Sequence, residues 1–425
     1  MKKIHILFLV DFVPSPRAGN AGGQMFAYYI QELRKRGHQV SFIALARPHE
    51  QRFRDDLTGE VTYCQTVPVS PSPASCVRRA VRRLIEPAEY ALISSSDYSQ
   101  VLLRVLKQYP PDIIHAVHPW LIRVAAYTVK RLFTIDYPII IGHVMDIISA
   151  YRFQEIYQSL LIGKLIKSIS FSRSAYFEFL NYSLADYLIV HSQRDLEIVN
   201  LFLPNHKLVT VSPVWFDSIN SIYKNRIKTS ENNILFVGNF NDQRSIEGLM
   251  WLVQKVLPIL IKKEVNLKLS VASINNDKLL FFLNSIPHIR CYGYKDTPEF
   301  LELYDASDVF VFPLQRGRYS RHIKVLNAFA RGIPVVMTSW ANFGAEAVPG
   351  EEALIADTPE AFAECIGQLL SNPALAARIA EGGLRRIRRE YPSPSIVLDS
   401  LEEAYRAAIT QKEYGHPGAS RYTLG

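Results

Sequence analysis

Apolar residues along this chain fall into short runs that alternate with longer stretches of helical spacing. Residues 4–10 form a continuous apolar run, the pattern of a strand buried on both faces of a parallel sheet. Pro14, Pro16, Gly19, Gly22 and Gly23 make a loop behind it. Phe26, Tyr29, Ile30 and Leu33 then predict a helix over 24–36, ended by Gly37 where a helix C-terminus favours glycine. Further strands are expected at 40–45, 61–64, 113–116, 139–141, 187–190 and 208–211. A polar, irregular stretch follows over 212–233, and beyond it the alternation restarts. Strands are expected there at 234–237, 267–271, 289–292, 309–312, 335–337 and 353–355. The helices between and after them are expected at 246–260, 298–304, 322–330, 359–370, 373–389 and 394–409. Strands and helices alternating at these lengths call for βαβ units and a doubly wound α/β sheet, built twice.

Size agrees with two cores, since 425 residues exceed the roughly 250–300 at which a single core stops growing. Apolar residues at 48% and charged residues at 21% are ordinary globular usage and argue against disorder outside the ends of the chain. A net charge of +8 fits a phosphate-bearing partner without choosing among nucleotide, nucleic acid and anionic lipid. Cys64, Cys76, Cys291 and Cys365 have no metal-ligand spacing and form no disulfide framework, which implies a reduced, cytoplasmic location. Lys2, Lys3 and the run over 4–10 imitate a signal peptide, but Asp11 ends the run and no cleavage pattern follows. No run approaches the roughly 18 apolar residues of a spanning helix.

The second half carries more specific motifs. Ile234-Leu235-Phe236-Val237-Gly238-Asn239-Phe240 makes a strand and turn, followed downstream by Tyr292-Gly293-Tyr294. Leu303-Tyr304-Asp305-Ala306-Ser307-Asp308 leads into Val309-Phe310-Val311-Phe312-Pro313. Then come Ile323-Lys324-Val325-Leu326-Asn327-Ala328-Phe329-Ala330-Arg331-Gly332-Ile333-Pro334-Val335-Val336, Gly344-Ala345-Glu346 and Glu352-Ala353-Leu354-Ile355. This series resembles family 4 of the retaining glycosyltransferases. The first half is similar more loosely, through Gly22-Gly23, Arg36-Gly37-His38-Gln39-Val40 and Pro111-Asp112-Ile113-Ile114-His115. The resemblance implies the GT-B fold, two Rossmann-like domains with a cleft between them that takes a nucleotide-sugar donor. Residues 1–215 would be the acceptor-side domain, joined by a C-terminal helix at about 394–412. A linker would span 216–232, and 233–393 would bind the nucleotide-sugar. The implied reaction transfers a sugar, with retention at the anomeric carbon, to a glycan, lipid-linked or small-molecule acceptor. It calls for no metal and no cofactor beyond the donor itself.

A diphosphate leaving group needs cations and aimed amide groups to hold the charge that develops on it. By resemblance, Lys324 near a helix start and Arg244, six residues after Gly238, are the catalytic cations. Without the resemblance, each reads as an exposed surface charge. Gly22 and Gly23, between a strand and a helix start, can offer backbone N–H groups to phosphate, or can be a plain turn. Gly238 and Tyr294 stand at the family's donor turns, Arg321 lies one position from a common arginine, and Glu346 resembles an acid near the donor sugar. Tyr319 and Asn327 occupy the positions of two usual glutamates, and Asn239 that of a usual arginine. Asn327 keeps an acceptor oxygen for ribose hydroxyls but loses the charge, whereas Tyr319 cannot act as a carboxylate.

His143 follows the strand at 139–141, where the family places a histidine against the transferred sugar or an acceptor group. A satisfied structural histidine is the competing reading, with Asp146 as a companion candidate. His115 and His118 form a His-x-x-His pair but lack carboxylate or cysteine partners, so no metal site is expected. Arg78, Arg79, Arg82 and Arg83 share a helical side with Val77, Val81 and Leu84 between them. Two readings stay open for that helix, peripheral contact with an anionic membrane on its inner face or core packing with a solvated arginine side. Arg385, Arg386, Arg388 and Arg389 read as solvated, and neither cluster has the aromatic interleaving of a nucleic-acid surface. Residues 151–180, rich in Tyr, Phe, Ile and Leu with Lys164, Lys167 and Arg173, read as a helical pair at an acceptor groove or in a core. Two other functions are weighed: a catalytically degenerate binding or partner subunit, suggested by Tyr319 and Asn327, and a sugar-nucleotide epimerase, which needs more acid–base groups. A nicotinamide dehydrogenase is disfavoured because no G-x-G-x-x-G follows either first strand.

Overall fold

The apolar run that opens the chain is strand β1 (His5–Val10), buried at every position. The computed structural model describes residues 3–18, 21–69, 95–133, 137–157, 161–206, 208–210, 232–240, 242–263, 267–274, 277–293, 297–316, 322–390 and 394–414. Of the linker expected over 216–232, residues 216–231 lie outside the described residues, as do the arginines at 78, 79, 82 and 83 and Tyr294, Tyr319 and Arg321, while Asn232 already opens a strand. The chain divides into two units. Met1–Pro16, Met25–Pro213 and Ser395–Gly425 make the first; Arg17–Gln24 and Val214–Pro394 make the second.

In the first unit β1 is followed by α1 (Ala21–Lys35), β2 (Gln39–Ala46), β3 (Tyr63–Pro68), α2 (Ser95–Gln108) and β4 (Ile113–Val117). Then come α3 (Pro119–Leu132), β5 (Ile139–His143), α4 (Ile148–Tyr157), α5 (Leu161–Tyr182), β6 (Tyr187–Val190), α6 (Gln193–Phe202) and β7 (Leu208–Thr210). The strands form one seven-stranded sheet in the order β3-β2-β1-β4-β5-β6-β7. Every pairing in it is parallel. Such a sheet is covered on both faces, which is why β4, β5 and β6 are wholly buried as well. The third strand runs two residues later than the expected 61–64, because its pairing with β2 continues from Ser41↔Tyr63 to Ala46↔Pro68. A proline is tolerated at the end of an edge strand, where no ladder donor is missed. Gly37 takes a φ of 92°, the left-handed backbone that ends α1.

The second unit runs β8 (Asn232–Asn239), α7 (Gln243–Trp251), a π-helical turn at Leu252–Val256, α8 (Leu257–Lys263) and β9 (Leu267–Ile274). It continues with α9 (Asp277–Asn284), β10 (Ile289–Tyr292), α10 (Thr297–Asp305), β11 (Val309–Phe312), α11 (Ile323–Ala330) and β12 (Val335–Met337). Helix α12 (Ser339–Ala345), β13 (Leu354–Ile355), α13 (Pro359–Ser371) and α14 (Pro373–Glu390) complete it. Its six strands pair in the order β10-β9-β8-β11-β12-β13, again in parallel. The single helix expected over 246–260 starts earlier, behind the Asp242 N-cap, and is interrupted by the π turn. Pro258 has no N–H for the carbonyl four residues before it, and the π turn just ahead absorbs that gap.

The last helix, α15 (Pro394–Tyr414), belongs with the first unit from Ser395 onward. Arg36 holds it through Asp399 at 2.6 Å and Glu402 at 2.7 Å, and His38 meets Glu402 at 2.8 Å. Lys412 Nζ donates to the Tyr137 carbonyl at 2.6 Å.

Candidate functional site

Both sheets reverse their winding beside their first strand, between β1 and β4 and between β8 and β11. In open α/β sheets ligands bind outside the carboxyl ends of the strands at such a switch point. The second unit concentrates its polar chemistry there. Behind β8, Asp242 caps α7, its carboxylate accepting from the Arg244 backbone N–H at 3.2 Å. The same carboxylate holds the Arg244 guanidinium through two bonds, at 2.8 and 2.9 Å. The arginine side chain is only 9% exposed and therefore fixed in direction. A buried guanidinium tied along one edge is the geometry suited to a planar anion. Gly238, the second-last residue of the strand, lies in a crowded place, since a Cβ there would stand 2.8 Å from the Phe236 ring.

On the other side of the switch point, Lys324 is the second residue of α11, which begins behind His322. Its ammonium stands 5.8 Å from the centre of the Phe312 ring at the end of β11, and His322 meets that ring edge-on at 4.9 Å. The two sides are joined. Arg316 pairs with Glu247 of α7 through two bonds at 2.9 and 3.0 Å. Tyr304, fully buried, donates to the Lys324 carbonyl at 3.2 Å and lies in hydrogen-bond reach of Asn327. Burial pushes this phenol well above its ordinary range, so it stays a neutral donor. Lys324 and Asn327, three apart on α11, share one helical side.

Glu346 lies farther along, at the C-cap of α12 rather than at a strand end, with a φ of 52°. A left-handed backbone at a non-glycine residue costs energy that the surroundings must supply. Arg386 supplies part of it, donating to the Glu346 carbonyl and, at 3.1 Å, to Glu352. Arg386 is thus buried and paired, in contrast to the solvated arginine expected from the sequence, whereas Arg388 and Arg389 are exposed. The Glu346 side chain itself is exposed.

Gly22 and Gly23, in the short segment Arg17–Gln24 that clusters with the second unit, are not loop residues but lie in the opening turn of α1. The N–H groups of a helix's first turn have no intrahelical partners and point towards the helix start. His143 ends β5 and is fully buried, with both ring nitrogens engaged. Its Nδ1 meets His115 Nε2 at 2.8 Å and its Nε2 meets His191 Nε2 at 2.7 Å. His115 Nδ1 in turn meets the Tyr405 hydroxyl of α15 at 2.6 Å. Burial holds the His115 pKa down to about 3, helped by the nearby His191, and lowers that of His143 well below the usual imidazole value. The His-x-x-His pair is divided: His115 joins this row, while His118 turns at a φ of 68° to face Asp11 at 3.5 Å. Among the described residues no group of histidine, cysteine and carboxylate side chains is placed to hold a metal ion.

His191, Asp242 and the Arg316–Glu247 pair did not stand out in the sequence. Asp242 had a signal, an aspartate just before a helical pattern. His191 had none, because its partners lie 48 and 76 positions upstream and meet it only through the strand order β4-β5-β6.

Two doubly wound units, with cations and helix N-termini at a switch point, define the class of the sugar-nucleotide enzymes with two Rossmann-like halves. A family model described as glycosyl transferases group 1 matches residues 231–372, and a glycosyl transferase 4-like domain matches 21–213. The chain belongs to this group of GT-B-fold glycosyltransferases. Sucrose-phosphate synthase of Thermosynechococcus elongatus superposes with a TM-score of 0.70 at 16% identity, covering 96% of this chain and 99% of that one. HepE of Anabaena, solved in complex with UDP and glucose, gives 0.60 at 14%, with coverage of 95% and 100%. At such identities these likenesses establish the fold. An uncharacterized 44.6 kDa protein in the cps region of Klebsiella pneumoniae is 26% identical over 215 residues. That match takes in 49% of this chain, and the chain spans about half the length of this curated relative, 53%.

Proposed function

We propose that this protein transfers a sugar from a nucleotide-sugar, of the UDP class, to an acceptor with retention of anomeric configuration. The observation that carries the reading is that Arg244 and Lys324 stand near the starts of the helices that follow two adjacent strands, β8 and β11. Two cations and two helix N-termini there suit a diphosphate. The acceptor oxygen attacks the anomeric carbon as its bond to the diphosphate oxygen breaks, and the acceptor proton passes to that departing oxygen. Arg244, Lys324 and backbone amides, those of Gly22 and Gly23 included, stabilise the charge on the leaving group. No separate protein base is needed in this scheme. Gly238, Asn327 and Glu346 complete the donor contacts, with Asn327 facing the ribose; Tyr294 and Arg321 are assigned to the same site by resemblance. UDP as nucleotide draws on the complexes of HepE.

The protein is placed in the cytoplasm, in peripheral contact with anionic lipid. The support for that contact is α5, where Leu161, Ile162, Leu165, Ile166 and Ile169 are 57–85% exposed. Lys164 lies among them, and no acidic residue occurs before Glu178. An apolar helical face flanked by basic charge matches the surface of an anionic bilayer. Among the described residues no helix is long and apolar enough to cross a membrane.

A second reading is favoured by Asn327, which lacks the usual carboxylate: a protein that binds the donor without turning it over. A thermal-shift screen against UDP, GDP, ADP, CMP, dTDP and their sugars, with Lys324→Ala alongside, tests both. A shift for one nucleotide class that Lys324→Ala abolishes is expected. No shift with any of them removes the donor site altogether. A shift without release of free nucleotide when acceptors are added supports the binding protein.

A further inference from the structure

The sheet of the first unit has a cavity of about 790 Å³ at the edge opposite to its switch point. Lys3 and Ile4 lead into β1, Pro110, Pro111 and Asp112 into β4, and Tyr137 and Pro138 into β5. The amino ends of three neighbouring strands therefore line it. Helix α15 adds Arg406, Ile409, Thr410 and Lys412, and all of these residues belong to one unit. The volume falls within the roughly 300–1,000 Å³ of small-molecule sites, far more than a bare ion fills.

Charge in the lining is one-sided. Lys3, Arg406 and Lys412 bring three positive charges and Asp112 a single negative one. The Asp112 carboxylate is also turned to the backbone, where it accepts from the His5 N–H at 2.7 Å. Lys412 is held at the rim of β5, its ammonium donating to the Tyr137 carbonyl at 2.6 Å and standing 5.5 Å from the centre of that ring. Lys3 runs past Gly37, where a Cβ would stand 3.5 Å from Lys3 Cε. Arg406 is exposed, and it follows Tyr405, whose buried hydroxyl meets His115 at 2.6 Å. Its backbone is thereby anchored while its guanidinium faces water. Between the charges the lining is apolar, through Ile4, Phe133, Tyr137, Ile139 and Ile409.

We propose that this cavity binds a phosphate monoester with a flat apolar body, at a site separate from that of the sugar donor. Such a group carries about −1.5 to −2 charges at pH 7, which offsets the surplus of two positive charges in the lining. Arg406 offers a planar fork to two phosphate oxygens, and Lys3 and Lys412 add point charges. Phe133 and Tyr137 receive the organic body. By joining Lys3, ahead of β1, to Arg406 on α15, the phosphate also clamps the last helix to the sheet. The competing use of these cations is to offset the carbonyl ends of α2 and α3, which finish at this edge. The site stands whether or not the chain transfers sugar.

Titration calorimetry of the whole protein with phenyl phosphate, beside inorganic phosphate at the same ionic strength, tests the assignment. Phenyl phosphate should bind saturably, more tightly than inorganic phosphate, and should raise the melting temperature. Arg406→Gln and Lys3→Gln replace exposed side chains, so each should keep the ligand-free melting temperature and lose about tenfold or more in affinity. Lys324→Ala should bind phenyl phosphate as the unmodified protein does, which separates this cavity from the donor site. Absence of saturable binding, binding indifferent to Arg406→Gln, or binding lost in Lys324→Ala each overturns the site. Equal affinity for the two probes overturns the monoester. A melting temperature lowered by Arg406→Gln at unchanged affinity gives the cations to the helix ends and overturns the site as well.

Discussion

Gly248 lies against the carbonyl of Pro313, so closely that a Cβ at position 248 would stand 2.7 Å from that oxygen. This approach sets α7 against the segment leaving β11, and the Arg316–Glu247 pair ties the same two segments together. Backbone on both sides leaves nothing flexible to move aside. Gly248→Ala is expected to cost about 1–3 kcal/mol by overpacking and to lower the melting temperature. Because Arg244 sits one turn away on α7, UDP affinity should fall more than stability alone explains. Calorimetric melts with and without UDP check this; a variant with unchanged melting temperature and unchanged UDP shift would remove Gly248 from the argument.

Asn327 offers the clearest gain-of-function test. Glutamate at this position would place a carboxylate toward the ribose, beside the buried Tyr304 hydroxyl that Asn327 already neighbours. A charged acceptor contributes more than a neutral one, by about 1 kcal/mol. Asn327→Glu should therefore tighten UDP several-fold, measured by titration calorimetry. Weaker binding would mean that the asparagine serves a donor geometry of its own.

The buried histidines give stability a definite dependence on pH. Burial holds His115 down to about 3 and depresses His143, with His191, His115 and His118 as the charges that face it. Unfolded, both rings return to the ordinary imidazole value near 6.5 and bind protons more readily than when folded. Their contribution is complete above about pH 6.5 and declines as pH drops below it, for His115 down to about 3. The decline approaches about 1.4 kcal/mol per pH unit for each ring. Urea melts at pH 7.5, 6.5 and 5.5 should show a small change over the first interval and a steep loss over the second. Equal stability at all three would mean that the rings are solvated.

The sheets were legible because parallel strands are buried on both faces and read as plain apolar runs. Tyr187–Val190, Ile289–Tyr292, Val309–Phe312 and Val335–Met337 fall where the sequence predicts them. Edges were less legible: Tyr63–Pro68 is displaced because pairing with β2, not composition, sets its limits. Helices α2, α3 and α6 were not resolved individually from the pattern, their apolar positions merging with those of neighbouring strands. At the site, Lys324 and Arg244 emerged from motif context alone, since a cation at a helix start looks like any surface cation. Arg386 was misjudged for a related reason: one of four clustered arginines is buried by Glu352, 34 positions away, and spacing along a helix carries no trace of it. His191 is the extreme case, a lone histidine whose meaning comes wholly from strand order.

The exposed side of α5 is a different kind of surface, apolar where a solvated helix would be charged. Leu161 and Ile162, 85% and 79% exposed, recur one turn later as Leu165 and Ile166, so the face persists along two turns. Insertion into a headgroup layer would bury these side chains while Lys164 meets lipid phosphate. Sedimentation with vesicles of phosphatidylcholine and phosphatidylglycerol should carry the protein down, more strongly as the anionic fraction rises and less strongly with added salt. Ile162→Asp with Leu165→Asp places two acids on an exposed face, so the melting temperature should hold while vesicle binding drops at least tenfold. Binding that survives this double substitution would move the contact elsewhere on the protein, and absence of binding to any vesicle would leave α5 for a protein partner.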